Sequence, residues 1–263
     1  MELRSILRFR LRSLVVLLTA VALYFAWQHH REQQATAELR TLMADLAKEY
    51  EKPNVNFKFV NDKWVQDLND FVEKYESGDS VNEATFQLAL ADEFSGNKAR
   101  AITRYQEIVN SRSNGNARVK AKGAIKRLTS EGKMLDYSGP SFANPNEVIR
   151  TSDYRGKFVL IHFWATWQSV SDMTKLSQMK TFYEDRLEII GVNIDTERQA
   201  LESYFDANPQ EWNHIYTPGG VDGESATDLG IITVPTVILL DPQGKMIKQC
   251  ISVEEANNLI QSH

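Results

Sequence analysis

Apolar and polar positions divide the chain into three stretches of different period. Residues 1–12 carry Arg4, Arg8, Arg10 and Arg12 against one acid, Glu2, and the uncharged apolar run Ser13–Trp27 follows. A basic flank before an apolar core marks a secretory signal or a signal anchor. As a helix the run covers about 22 Å at 1.5 Å per residue, short of the ~30 Å hydrocarbon core. Arg10 and Arg12 can extend toward one interface, and Tyr24 and Trp27 suit the other. The reading is a cytoplasmic basic segment at 1–12 and a transmembrane signal anchor at 13–28, with the rest of the chain outside the cytoplasm by the positive-inside rule. The alternative is export with cleavage. Its small-residue sites are Ala20-Val21-Ala22, inside the run, and Ala35-Thr36-Ala37, well beyond it.

From 30 to 135 the period is helical. Gln33–Glu51 forms one amphipathic helix ended by Pro53, and Asn61 or Asp62 caps a second with Trp64, Leu68, Phe71, Val72 and Tyr75 on one stripe. Ser80-Val81-Asn82-Glu83 has the form of a capping box. The helix pair on either side of Gly96, with Leu88-Ala89 and then Ala101 and Tyr105, has the pattern of one tetratricopeptide-like unit, and a plain helical hairpin fits as well. Either form offers a binding or spacer surface.

From Gly139 to the end, residues 139–263, the pattern changes again. Short apolar runs at 157–164, 187–195 and 236–240 suit buried strands, and helical stretches at 171–184, 197–207 and 253–261 alternate with them. Asp241-Pro242-Gln243-Gly244 reads as a tight turn that returns the chain as a further strand, 245–251. This order predicts an α/β domain with a mixed sheet flanked by helices.

Composition narrows the chemistry. A net charge of −5 argues against a nucleic-acid partner, whose phosphates need concentrated Lys and Arg. The single cysteine, Cys250, excludes an internal disulfide and a cysteine-rich zinc site, and the five histidines show no metal-ligand spacing. No metal and no cofactor are expected. Gly219–Gly223 reads as a surface loop, because it does not join a strand to a helix in the phosphate-binding pattern.

Phe163-Trp164-Ala165-Thr166-Trp167 resembles the segment before the CxxC motif in the TlpA/ResA-like branch of the thioredoxin superfamily. Ser152–Lys157, Ile190–Asp195, Leu229-Gly230-Ile231, Val234-Pro235-Thr236 and Asp241–Lys245 resemble its other segments in order. The resemblance implies a thioredoxin fold, a thiol-disulfide oxidoreductase ancestry, a bacterial envelope location and a cis bond at Val234–Pro235. It also implies that backbone groups of Val234 are free to pair with an extended peptide.

Where the family carries CxxC, this chain has Gln168-Ser169-Val170-Ser171. Dithiol exchange needs a thiolate at a helix start and a second thiol to resolve the mixed disulfide. An amide and a hydroxyl supply neither, so no catalytic residue is expected at Gln168 or Ser171. Thr174 and Leu176 stand where the family has an acid and a helix-kinking proline, and His162 stands where thioredoxin has a buried Asp. His162 and Ser171 could approach as a hydrolytic pair. A buried His hydrogen-bonded to backbone or Ser is the plainer reading, with Asp172 pointing outward. The expectation is an extracytoplasmic, redox-inactive module that binds a protein or peptide through Trp167, Gln168, Ser169, Val234 and Pro235. The alternatives are an oxidoreductase using a borrowed cysteine, and an envelope protein that binds through its helical segment.

Overall fold

The computed structural model describes residues 2–112, 115–168 and 171–263, apart from the side chains of 2–16 and 171. The chain forms two compact units, Met1–Arg104 with Ser111–Gly115 and Tyr105–Asn110 with Asn116–His263.

In the first unit, helix α1 runs without a break from Glu2 to Tyr50. No Gly or Pro interrupts this stretch, so the expected anchor and the expected Gln33–Glu51 helix are one element. Among the described residues no helix is long and apolar enough to cross a membrane. Residues 13–16 of the expected span lie outside the described side chains. From Leu17 the apolar stretch lasts only to Trp27, where His29, His30, Arg31 and Glu32 follow.

Helix α2 (Phe57–Tyr75) begins earlier than expected, because Asn56 caps it by accepting from the Phe59 amide at 3.1 Å. Asn61 instead accepts from the Tyr50 hydroxyl. Helix α3 (Asp79–Phe94) does not use the capping box. Glu32 of α1 takes that role, its Oε1 accepting from both the amide and the hydroxyl of Ser80 at 2.8 Å. Ala35 and Leu39 of α1, Leu68, Phe71 and Tyr75 of α2, and Val81, Ala84 and Leu88 of α3 form the core that these helices share. Helix α4 (Lys98–Asn110) follows.

The second unit takes the end of α4, Tyr105–Asn110, and then α5 (Asn116–Leu128), both upstream of Gly139, where the sequence reading starts the C-terminal domain. A short antiparallel pair, β1 (Ser138–Pro140) and β2 (Val148–Arg150), comes next. The main sheet then takes β3 (Phe158–Trp164), β4 (Leu187–Asn193), β5 (Asn213–Tyr216), β6 (Thr236–Leu240) and β7 (Met246–Cys250) in the spatial order β5-β4-β3-β6-β7. β3, β4 and β5 run parallel, while β6 and β7 are antiparallel to their neighbours. Helices α6 (Ser171–Tyr183), α7 (Arg198–Ala207), α8 (Glu224–Thr227) and α9 (Val253–Ser262) connect and close the sheet. The four expected strands appear as β3, β4, β6 and β7. The expected turn forms between the last two, with Gly244 at φ 86° and its amide bonded to the Asp241 carbonyl at 2.8 Å. The strands β1, β2 and β5 are too short to carry a readable period. The loop at Gly219–Gly223 contains a short 3-10 turn, Gly220–Asp222.

The sheet separates two cores. Phe158, Leu160 and Trp164 of β3 join Met173, Leu176 and Met179 of α6 and Val253, Ala256 and Ile260 of α9 on one face. Val159, Ile161 and Phe163 join Leu135, Tyr137, Ala226 and Leu229 on the other. Strand alternation assigns each residue to its face.

α5 is part of this packing. Ala121 and Ala124 are fully buried, and Arg127, itself buried, donates to the Leu229 carbonyl at 2.9 Å and to Gln249 Oε1 at 2.5 Å. Lys126 pairs with Asp228 at 2.8 Å and Lys120 with Asp222 at 2.5 Å. The helix crosses the loop before β6 backbone against backbone. A Cβ on Gly123 would lie 2.1 Å from the Thr227 carbonyl oxygen, and one on Gly230 would lie 2.4 Å from the Ala124 nitrogen. In an open helix Gly→Ala stabilises by about 1 kcal/mol. Here Gly123→Ala is expected to reverse that sign and lower stability by about 1–3 kcal/mol, the usual cost of overpacking, read as a lower urea midpoint of the full chain.

Candidate functional site

The register places two loops together. Phe163 pairs with Thr236 in antiparallel β3 and β6. The segment after β3 and the segment before β6 therefore leave the sheet at the same end. The first carries Trp167 and Gln168, the second Val234 and Pro235, and the Val234–Pro235 bond is cis. Of the residues expected to line a groove, these four share one end of the sheet. Ser169 lies outside the described residues, and Ser171 opens α6 with its side chain outside them. Trp164 is a core residue at 3% exposure, whereas Trp167 is 71% exposed.

A hydrogen-bonded clamp holds the loop after β3. Asp195, buried just past β4, accepts from the Thr166 amide and from the Thr166 hydroxyl, both at 2.9 Å, and from Asn193 Nδ2 at 2.7 Å. Asn193 Oδ1 accepts from the Asp195 amide at 3.0 Å. Three donors on one carboxylate leave Thr166 little freedom. Gln168 then closes a turn, its amide bonded to the Ala165 carbonyl at 3.1 Å.

Beneath Gln168 lies His162, 2% exposed. Neither ring nitrogen has a partner among the described residues, so the expected hydrogen bond to backbone is not found there; the Ser171 hydroxyl, the other expected partner, lies outside them. Burial lowers its pKa to about 4, so the ring is neutral at pH 7. Asp172 was expected to point outward. Its Oδ2 instead stands 3.9 Å from His162 Nε2, and burial raises its pKa above the usual carboxylate range. His162, Trp164, Gln168, Asp172 and Tyr204 line a cavity of about 10 Å³. The position one residue into a helix did not reveal this inward turn in the sequence. Thr174 is exposed and Leu176 is core, so neither supplies a proton-transferring group.

A second histidine lies in the same transverse row. His162 pairs with Gly191, Gly191 with His214, His162 with Val237, and Val237 with Cys250. Paired residues share a face, so both imidazoles and the thiol lie on the α6 side of the sheet. Gly191 makes room for the His214 ring, since a Cβ there would lie 2.2 Å from His214 Nδ1. Burial, and then the charge of His162, lowers the His214 pKa to about 3. Cys250 is two strands from His162, roughly 10 Å at about 4.8 Å per strand. It is 5% exposed, and burial followed by Glu255 pushes its thiol up to about 12. Such a thiol is a poor nucleophile. No cluster of three metal-ligating side chains occurs among the described residues.

A thioredoxin-like family model matches residues 156–246, from the turn before β3 into β7. The chain is also similar to thiol-disulfide oxidoreductase ResA of Bacillus subtilis, with 25% identity over 103 residues, 38% of this chain and 56% of ResA. Thiol:disulfide interchange protein DsbE of Pseudomonas aeruginosa gives 26% over 107 residues, 40% of this chain and 57% of DsbE. Residues 156–246 thus hold a thioredoxin-like domain. Human nucleoredoxin is 29% identical over 127 residues, 46% of this chain and 29% of nucleoredoxin. Among solved structures, a thiol-disulfide oxidoreductase from Bacteroides fragilis aligns with 25% identity and TM-score 0.44, covering 49% of this chain and 96% of that one. The chain thus spans little more than half the length of ResA and DsbE and under a third of nucleoredoxin.

The thioredoxin-like domain carries a pH signature in its two histidines. Both folded pKa values lie below the usual ~6.5, so the unfolded chain binds more protons and stability drops as the pH is lowered. The loss begins near pH 6.5 and continues to about 4 for His162 and about 3 for His214. Between pH 7 and 5 each group is expected to cost on the order of 2 kcal/mol, read as a falling urea midpoint. The double variant His162→Leu, His214→Leu should show a flatter profile.

Proposed function

We propose that this chain is an extracytoplasmic binding module that holds an extended peptide or partner protein on a thioredoxin-like domain and does not carry out dithiol exchange. One observation carries the reading. Gln168 occupies the turn before α6 where the resemblance calls for a thiol, and the only sulfhydryl of the chain is buried on β7. Exposed Trp167 and exposed Pro235 supply apolar contacts at the same end of the sheet, where the resemblance implies a Val234 backbone open to an extended peptide. In a reduction assay with insulin and dithiothreitol, turnover is expected to equal that without protein, and thiol-dependent turnover would overturn the reading. The double variant Gln168→Cys, Ser171→Cys is expected to gain a reducible disulfide and measurable insulin reduction.

The names of ResA and DsbE favour a second reading, thiol-disulfide chemistry with a cysteine borrowed from a partner. Burial of Cys250 weighs against a supply from within the chain.

The same proposal places the chain at the inner membrane of a bacterial envelope, anchored through residues 13–28. The arginine flank supports this, as do the exposed side chains of Leu17, Leu18, Val21, Leu23, Phe25 and Trp27. After expression in a bacterium, the chain is expected to stay in the membrane pellet through alkaline carbonate extraction, and deletion of residues 1–28 should release it.

A further inference from the structure

The cavity under Gln168 has an unusual lining. Asp172 is half-buried, and among the described residues it pairs with no lysine or arginine; the nearest cation in sequence, Lys175, is taken by Glu254. The imidazole of His162 offers an unpartnered acceptor nitrogen in its neutral form. The rings of Trp164 and Tyr204, with centroids 5.0 Å apart, form the wall. A carboxylate, a neutral nitrogen acceptor and two electron-rich ring faces favour a cation; the donor hydrogens of Trp164 Nε1 and of the neutral His162 ring, also without partners, do not, so Asp172 decides the sign. The space admits about one water-sized group, which suits a compact ammonium and not a planar guanidinium.

We propose that this cavity is a subsite for a primary ammonium group, the ε-ammonium of a lysine on a bound peptide, held by Asp172 against Trp164 and Tyr204. The proposal rests on the reading that Trp167, Gln168, Val234 and Pro235 face a peptide. It adds the side chain that such a peptide presents at position 168. His162 accepts one ammonium hydrogen, Asp172 accepts another and balances the charge, and the rings of Trp164 and Tyr204 face the ammonium, the stem staying outside the cavity.

The test uses the full chain in two arms. In the first, n-butylammonium is titrated while the His162 imidazole is followed by NMR, with methylguanidinium and N-butylacetamide as controls. A saturable shift is expected with butylammonium alone. Asp172→Asn, close in shape, should weaken it about tenfold, the loss of one charge-assisted contact, and Tyr204→Leu should weaken it independently. Absence of saturation, or an equal response to N-butylacetamide, overturns the subsite. In the second arm, fluorescein-labelled alanine hexapeptides carry lysine, acetyl-lysine or arginine at the central position. A preference for lysine of about tenfold, lost in Asp172→Asn, supports the proposal. Equal binding of all three overturns it and leaves the groove reading standing. If no peptide binds while butylammonium saturates, the groove reading falls and the assignment to a peptide lysine falls with it, leaving a site for a free primary ammonium only.

Discussion

Burial of β3 on both faces is the constraint on which the second unit depends. All seven residues from Phe158 to Trp164 are buried, with Leu160 and Trp164 in one core and Ile161 and Phe163 in the other. A strand in that position must have both neighbours, so β4 and β6 pair along its length. Their opposite directions decide where the loops emerge. The segment leaving β3 meets the segment entering β6, and Asp195 just past β4 fastens the first by two hydrogen bonds to Thr166. The site is thus a product of strand polarity more than of the residues displayed on it.

The same burial explains which parts of the chain were legible in advance. Continuous apolar runs gave away β3, β4 and β6, and the Asp241–Gly244 turn gave away β7. β5 is not legible in the sequence, because four residues with His214, Ile215 and Tyr216 all buried show no alternation. In the first unit the stripe of α2 was readable, but its cap was not. Asn56 and Asn61 are equally good capping residues, and the choice depends on Tyr50, which engages Asn61. Likewise the capping box at Ser80 was sound locally and was displaced by Glu32, a residue 48 positions away. At the site, the replaced residues Gln168 and Ser171 could be read directly. The inward turn of Asp172 and the lack of a partner for His162 could not, because both follow from packing between α6, α7 and the sheet.

The row His214, Gly191, His162, Val237, Cys250 shows how burial controls reactivity here. Two imidazoles and a thiol, three groups that elsewhere bind metals or carry protons, sit in one line across the sheet. Desolvation keeps each in its uncharged form at neutral pH. A thioredoxin-like scaffold can therefore keep nucleophilic residue types in its core without expressing their chemistry, while Asp172, at the edge of the same core, keeps enough exposure to meet a ligand.

The crossing of Gly123 over Gly230 has a consequence for how such domains are inherited. Where a helix touches a loop through backbone alone, neither partner can acquire a side chain without the other moving, so the two segments must change together over evolutionary time. A thioredoxin-like cassette cut at Gly139 and fused to an unrelated upstream helix would arrive without the one surface shaped to accept it. Recombination in this lineage is expected to spare the stretch from 116 to 231 and to place its breakpoints outside it.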